Sequence, residues 1–474
     1  MAVTAPPPLS TSPFERIASD LREQARVASR LPPGPTSYSL PRTRRMLLDP
    51  VPVLLDAYER FGPVFTIRIL YANVVFALGP EANHAILVSQ ANRFHWREGG
   101  FRDLVPLLGD GLLTIDGDYH RMARRIALPA FHRERLAAAT TAMLEEADRA
   151  LAGWRDGMTV DVYRWTRELA LRVAMRALFG LNPDAAARGV DLAGEFERAL
   201  SFYGRDYLLQ PLRGPGTPWA SMQRSRRRID GVLYPEIARR RAGGGPSEDI
   251  LSMLIEARDE DGRALSDGEV RDQLMTLLFA GHDTTTSTVS FLLRELARHP
   301  EAAERVLAEQ DAVLGGGRAP TFAELAGGLP ELDQALDETL RLYPPAWVGP
   351  RRAVADAELC GVAIPAGAHV NYSSYASHRL PDVFPDPGAF RPARFAPEAR
   401  ARLPRGAYVP FGAGSRICVG MRFGQLEVKA IATRLLQRWS LALPAGHRLV
   451  VRQTPTLGPK GGLPMLVRPR GSAT

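Results

Sequence analysis

The spacing of apolar and polar positions changes character along the chain. Residues 1–31 are polar, with one charged stretch (FERIASDLREQARVASR) that predicts either an amphipathic helix or a loosely held arm. Leu31-Pro32-Pro33-Gly34-Pro35 is then a stiff break. Val64–Leu70 and Asn73–Leu78 read as strands, with tyrosine and alanine between them. From about residue 115 the pattern is mostly helical, rich in Ala, Leu, Arg and Glu. Gly243-Gly244-Gly245-Pro246 predicts a flexible loop. After Pro344 proline and glycine become dense, with short strand-like pieces at Glu358–Ile364 and His369–Tyr372. A closing hairpin is expected between Leu449–Gln453 and Leu463–Val467, turning at Pro459-Lys460-Gly461-Gly462. No fixed-period repeat is present. The expectation is a mainly α fold with small β-sheets at its margins.

One helix stands apart. Ser266 and Glu269 have the spacing of a capping box, and the helical pattern runs to His299, where Pro300 stops it. About 33 residues at ~1.5 Å each span roughly 50 Å. A chain of this length folds to a radius of gyration near ~23 Å, so this helix should cross the middle of the molecule. Its centre, Gly281-His282-Asp283-Thr284-Thr285-Thr286, suits a buried helix poorly. Glycine weakens it, and threonine hydroxyls compete for carbonyls one turn back. Such a conflict in a core element marks function or strain.

Composition narrows the classes. The chain has 474 residues, 45% hydrophobic and 24% charged, ample for a large core and unlike a disordered chain or a small disulfide scaffold. Length alone suggests about three domains at roughly 150 residues each. Cys360 and Cys418 are the two cysteines, too few for a disulfide framework or an all-cysteine metal site. No apolar run reaches the length of a membrane span, and the N-terminus lacks a signal-peptide pattern, so the expected address is the cytoplasm. The formal charge is +8, and among 60 basic residues only Lys429 and Lys460 are lysines. The arginine bias fits a GC-rich bacterial genome. The charge argues for a basic patch facing an acidic protein rather than for nucleic acid binding.

The densest chemistry lies in Phe411-Gly412-Ala413-Gly414-Ser415-Arg416-Ile417-Cys418-Val419-Gly420, which leads into a helical run reaching about Trp439. Backbone amides at a helix start favour a thiolate. Gly414 and Gly420 would let the backbone approach a flat ligand closely, Phe411 would shield the sulfur, and Arg416 offers a cation. Alone, Cys418 could equally be a small buried hydrophobe. The segment resembles the haem-binding loop of the cytochrome P450 family, F-x-x-G-x-R-x-C-x-G, at every fixed position. The resemblance implies haem b (iron protoporphyrin IX) as cofactor, with Cys418 as its axial iron ligand.

Further segments carry the same resemblance. Ala280-Gly281-His282-Asp283-Thr284 is similar to the family's oxygen-activation motif, which implies catalytic roles for Thr284, organising hydrogen bonds at the iron-bound oxygen, and Asp283, feeding protons through water. By itself the segment would read as a kink with a solvated acid; Thr284 bonding back toward Ala280 would open the helix. Glu338-Thr339-Leu340-Arg341 resembles E-x-x-R, and Arg394 matches the third member of that structural triad, which holds the cysteine loop in place. His120 and Arg124, four apart on one helix face, match the third-helix segment. With Arg351 and Arg416 they are expected to bind the haem propionates, Arg352 being an alternative to Arg351. By family position the substrate pocket is expected at Phe279, Ala280, Trp347, Val348 and Leu457, with the loop Phe94–Leu108. Arg97 and Arg102 in that loop could meet an acid, but read mainly as solvated.

The resemblance runs from the proline hinge to the final hairpin, so one cytochrome P450 domain is expected over residues 32–474, preceded by a polar arm at 1–31. It implies a haem-thiolate monooxygenase, soluble and bacterial in type, that inserts one oxygen of O2 into a hydrophobic small molecule such as a fatty acid, terpenoid, steroid or polyketide-like compound. No fused reductase fits in the chain. Electrons are expected from a separate ferredoxin or flavodoxin with its NAD(P)H-dependent reductase, docking on Arg121, Arg124 and Arg125. The alternatives are a peroxide-driven peroxygenase, which the Asp283-Thr284 pair disfavours, and a non-enzymatic haem-binding protein.

Overall fold

A computed structural model describes residues 6–471 apart from 8, 11, 182–189, 205–208, 245–248, 259–261 and 316. Gly245 and Pro246 of the expected flexible loop lie outside the described residues.

The fold divides into a helical body and a sheet-rich margin. The Val64–Ile69 and Ala72–Ala77 strands form an antiparallel hairpin. They continue into a five-stranded sheet through His369–Tyr372, Gly349–Ala353 and Phe94–His95. Only the Ala72–Ala77 and His369–Tyr372 pairing is parallel. This sheet brings Arg351 beside the Phe94–His95 strand, hundreds of residues away in sequence.

The central helix spans Asp267–Arg298 with its capping box formed in both directions. It packs against the helices Val162–Val173, Met421–Leu436 and Pro330–Leu342. Four of its hydroxyls bond to its own backbone, whereas the buried Thr276 and Ser287 hydroxyls find no partner among the described residues. Thr284, Thr286, Thr288 and Ser290 donate to the carbonyls four residues earlier, at 2.7–2.9 Å. These bonds let polar side chains enter the core without loss. They do not open the helix: it is continuous through Thr284, which corrects the expected break.

The closing hairpin is also corrected. Val451–Arg452 pairs with Gly458–Pro459, whereas Pro464–Pro469 pairs with Trp439–Ala442 and Thr159–Asp161. The alternating Leu463, Met465 and Val467 are fully buried in the helical body, a better outlet than a two-stranded ribbon. Glu358–Ile364 is a tight hairpin rather than one strand, turning at Cys360 and Gly361, both with positive φ. The N-terminal stretch forms the helix Pro13–Val27. Asp20 anchors it, pairing with Arg102 and lying 3.6 Å from His369 Nε2, and Gln24 accepts from the Asn73 amide at 2.7 Å.

Candidate functional site

The cysteine loop closes on itself. The Cys418 amide donates to the Phe411 carbonyl at 2.9 Å and the Gly412 amide to Val409 at 3.1 Å. Gly414 has φ +64, and a Cβ there would stand 2.3 Å from the Leu87 carbonyl oxygen. Glycine at this position is required by close approach to the backbone of residues 85–89. Gly420 needs no such room; its Cβ would meet Phe131 at an ordinary 3.8 Å. What Gly420 supplies is its amide, which bonds to the Cys418 sulfur and favours the thiolate, as does the charge of Arg124. Burial dominates and pushes the thiol pKa up. Yet the Cys418 surface is exposed. Cys418 is thus crowded by protein yet keeps accessible surface.

The central helix shows the same signature. Between Gln273 and Leu296 every residue is buried except Ala280, Gly281 and Thr284, which share one face. Phe279, at 9% exposed, borders that opening. Asp283 points elsewhere. It is wholly buried, 3.1 Å from an Arg167 nitrogen, and accepts from Thr456 Oγ1 at 2.5 Å. Arg167 is in turn bound by Glu197 at 2.6 Å, and His282 Nε2 lies 2.9 Å from the same Glu197 oxygen. Those partners hold Glu197 down at about 2. The free, solvated acid of the sequence reading is thus a clamped ion pair. On the following turn-face, Thr285 donates to Glu427 of the Met421–Leu436 helix at 2.9 Å. Burial raises the Glu427 carboxyl to about 8.

The expected cations gather. Burial, then the charges of Arg416 and Arg124, push His120 down to about 3; Arg416, itself lowered to about 10 mainly by burial, also feels Arg351 and Arg124. Asp116 pairs with Arg416. Among the described residues Arg124 and Arg351 have no carboxylate partner. Arg351, 2% exposed, lies over the Trp96 ring at 3.9 Å and the Tyr372 ring at 5.4 Å. Arg352 takes the opposite side of the strand, contacting His369 and lying 3.8 Å from Asp20. A buried guanidinium whose contacts are two aromatic rings and the Pro350 carbonyl, with no paired carboxylate among the described residues, fits a dianionic ligand such as haem with its two carboxylates. The gathered cations, the accessible thiol and the uncovered face at Ala280, Gly281 and Thr284 together fit the group.

The triad is assembled, and its Glu338–Arg341 pair is saturated. Arg341 donates Nε and Nη2 to the two Glu338 oxygens at 2.7 and 2.8 Å. Its remaining N–H groups reach the carbonyls of His378, Pro387 and Ala389. Arg394 Nε lies 3.3 Å from Glu338. Three further expectations are corrected. Leu457 is 0% exposed, packed with Phe291 and Tyr375, and so borders no opening. Arg97 is buried and pairs with Asp110 at 2.6 Å. Arg102 pairs with Asp20. Neither is a solvated loop arginine. Trp347 and Val348 remain half-buried, Trp347 fixed by its indole N–H to the Gln453 carbonyl. Sequence reasoning missed Trp96, Arg167, Glu197, Glu427 and His378, none of which sits in a recognisable local motif.

The comparisons agree with this geometry. A sequence profile of the family Cytochrome P450 matches residues 32–462. Cyclooctat-9-en-7-ol 5-monooxygenase of Streptomyces melanosporofaciens is 36% identical over 429 residues, 88% of this chain and 90% of that protein. Cyclooctatin synthase of the same organism is 35% identical, covering 88% and 91%. The structure of retinoic acid bound cyanobacterial CYP120A1 superposes with a TM-score of 0.83 at 32% identity, covering 93% of this chain and 99% of that one. The chain belongs to the cytochrome P450 family and is a haem-thiolate monooxygenase acting on hydrophobic small molecules. Among the described residues no helix is long and apolar enough to cross a membrane.

Proposed function

We propose that the protein hydroxylates an isoprenoid-like substrate, an apolar carbon skeleton with few polar groups, using O2 and electrons from a separate ferredoxin or flavodoxin. One observation carries the reading: an accessible thiol together with a central helix that, between Gln273 and Leu296, is buried except at Ala280, Gly281 and Thr284. When bound through Cys418, haem supplies reductive O2 activation, placing one oxygen in the substrate while the other leaves as water. The chain's residues do the rest. Gly420 N–H and Arg124 stabilise the thiolate. Arg351, His120, Arg124 and Arg416 hold the propionates, with Asp116 trimming the excess charge. Thr284, hydrogen-bonded at 2.7 Å to the Ala280 carbonyl, presents its hydroxyl oxygen on the uncovered face. Asp283 delivers protons only after leaving Arg167 and Thr456.

The pocket wall of Phe279, Ala280 and Val348 offers no charge to an acidic substrate. The relative named for cyclooctat-9-en-7-ol and the neighbour bound to retinoic acid support the isoprenoid class. The intact Thr284 face supports O2 rather than peroxide. Electron delivery is assigned to the exposed Arg121 and Arg125; Arg124, half-buried and sensing the sulfur, belongs to the cofactor side. The test is a spectral-shift screen of cyclic isoprenoid alcohols and hydrocarbons, followed by turnover with ferredoxin, reductase and NAD(P)H. Product heavier by one oxygen atom is expected. No shift from any isoprenoid, or product only with peroxide, would sink the reading.

A further inference from the structure

We propose that His378 is a positioning residue for the cysteine loop, bridging the Glu338–Arg341 helix to the backbone at Val409. His378 is 0% exposed, at the end of the short helix Ser374–Ser377. Its Nε2 accepts from the Val409 amide at 3.0 Å. An amide N–H can only donate, so Nε2 carries no proton and the proton of the neutral ring sits on Nδ1. Nδ1 lies 3.3 Å from the Arg341 carbonyl oxygen, and Arg341 returns a bond from its guanidinium to the His378 carbonyl at 2.9 Å. The two residues hold each other in both directions.

The consequence is a continuous chain of contacts. Glu338 fixes Arg341, Arg341 fixes His378, and His378 holds Val409. The Val409 carbonyl accepts from Gly412, and the Phe411 carbonyl accepts from Cys418. Tyr408 and Phe384 wall the ring at 5.4 and 6.2 Å, leaving it no alternative seat. Burial and the nearby Arg341 charge keep the imidazole neutral, at about 3, so it remains an acceptor across the pH range of any ordinary assay. Arg341 alone cannot do this work, because all its donors are spent on Glu338 and on carbonyls of residues 378–389. The triad thus reaches the sulfur through a histidine outside its motif.

The inference rests on the haem-thiolate reading only for its optical readout. The first test uses the wild-type holoenzyme labelled with 15N-histidine. Long-range proton–nitrogen spectra should show His378 as the neutral Nδ1–H form; an Nε2–H form would overturn the proposal whatever the variants do. The second compares His378→Gln with His378→Asn. Glutamine can place its carbonyl oxygen where Nε2 accepts, whereas asparagine reaches only toward Arg341. Gln should keep the thiolate-type Soret band of the reduced carbon monoxide complex and the slow exchange of the Val409 amide. Asn should lose most of that band and exchange the amide about tenfold faster or more. Equal behaviour of the two, folded or unfolded, would contradict a loop-directed role. A colourless wild-type protein would instead refute the haem reading and leave the tautomer result standing.

Discussion

Two buried arginines solve the same problem in opposite ways. Arg341 is 0% exposed with its charge matched by Glu338 and every N–H spent. Arg351 is 2% exposed with aromatic rings over it and no carboxylate among the described residues. The first site is complete within the chain and serves rigidity. The second lies near Arg416, whose charge Asp116 partly offsets, and Arg351 itself has no paired carboxylate among the described residues, an arrangement that would accommodate an anion. The difference separates scaffold from binding site more sharply than sequence position does, since both arginines sit within about one strand and one turn of each other along the chain.

Breaking the complete site has the largest effect. Glu338→Gln strands the Arg341 charge in the core, and by the usual cost of such a break about 3–5 kcal/mol of stability should go. Thermal unfolding and haem content should both fall; a normally loaded variant would contradict the saturated-pair account. The incomplete site should behave in reverse. Arg351→Met should leave the melting temperature of the haem-free chain unchanged or raised, while the rise on adding haem shrinks. Equal loss in both states would make Arg351 a second scaffold residue.

The reaction face should respond without either change. Thr284→Ala removes only a hydroxyl bonded to its own helix, so haem content and melting should persist. Product per NAD(P)H consumed should fall severalfold, with peroxide making up the difference; unchanged yield would strip Thr284 of its role. The smallest effect concerns Glu427. Its carboxyl titrates near 8 in the fold through burial and near 4.5 when exposed. Between those values the unfolded chain ionises first, so stability falls as pH rises through this window. Glu427→Gln should remove that slope, raising the melting temperature by about 2 °C at pH 8 and less at pH 5. A shift independent of pH would mean that Glu427 is already ionised in the fold.

The complete site was legible because its residues lie three apart on one helix and match E-x-x-R, and Cys418 because it is one of five fixed positions in a ten-residue pattern. The central helix announced itself through Ser266, Glu269 and Pro300. What stayed hidden depends on where distant segments meet. Nothing local says that Arg167 will reach Asp283, or that Trp96 will lie against Arg351. The closing hairpin failed for the same reason: Leu463, Met465 and Val467 fit either a hairpin or the edge of a sheet against the helical body, and only the burial offered by that body decides. Gly414 shows a subtler limit. Its glycine was anticipated, but not its close approach to the Leu87 backbone, which depends on a distant segment.

The central claim is that Cys418 alone ligates the haem iron as a thiolate. Reduced, carbon monoxide-treated wild type should show the red-shifted Soret band of thiolate ligation, and Cys418→Ser, with comparable haem content, should lack it. The same band in both proteins, or its absence from the wild type, would contradict the account.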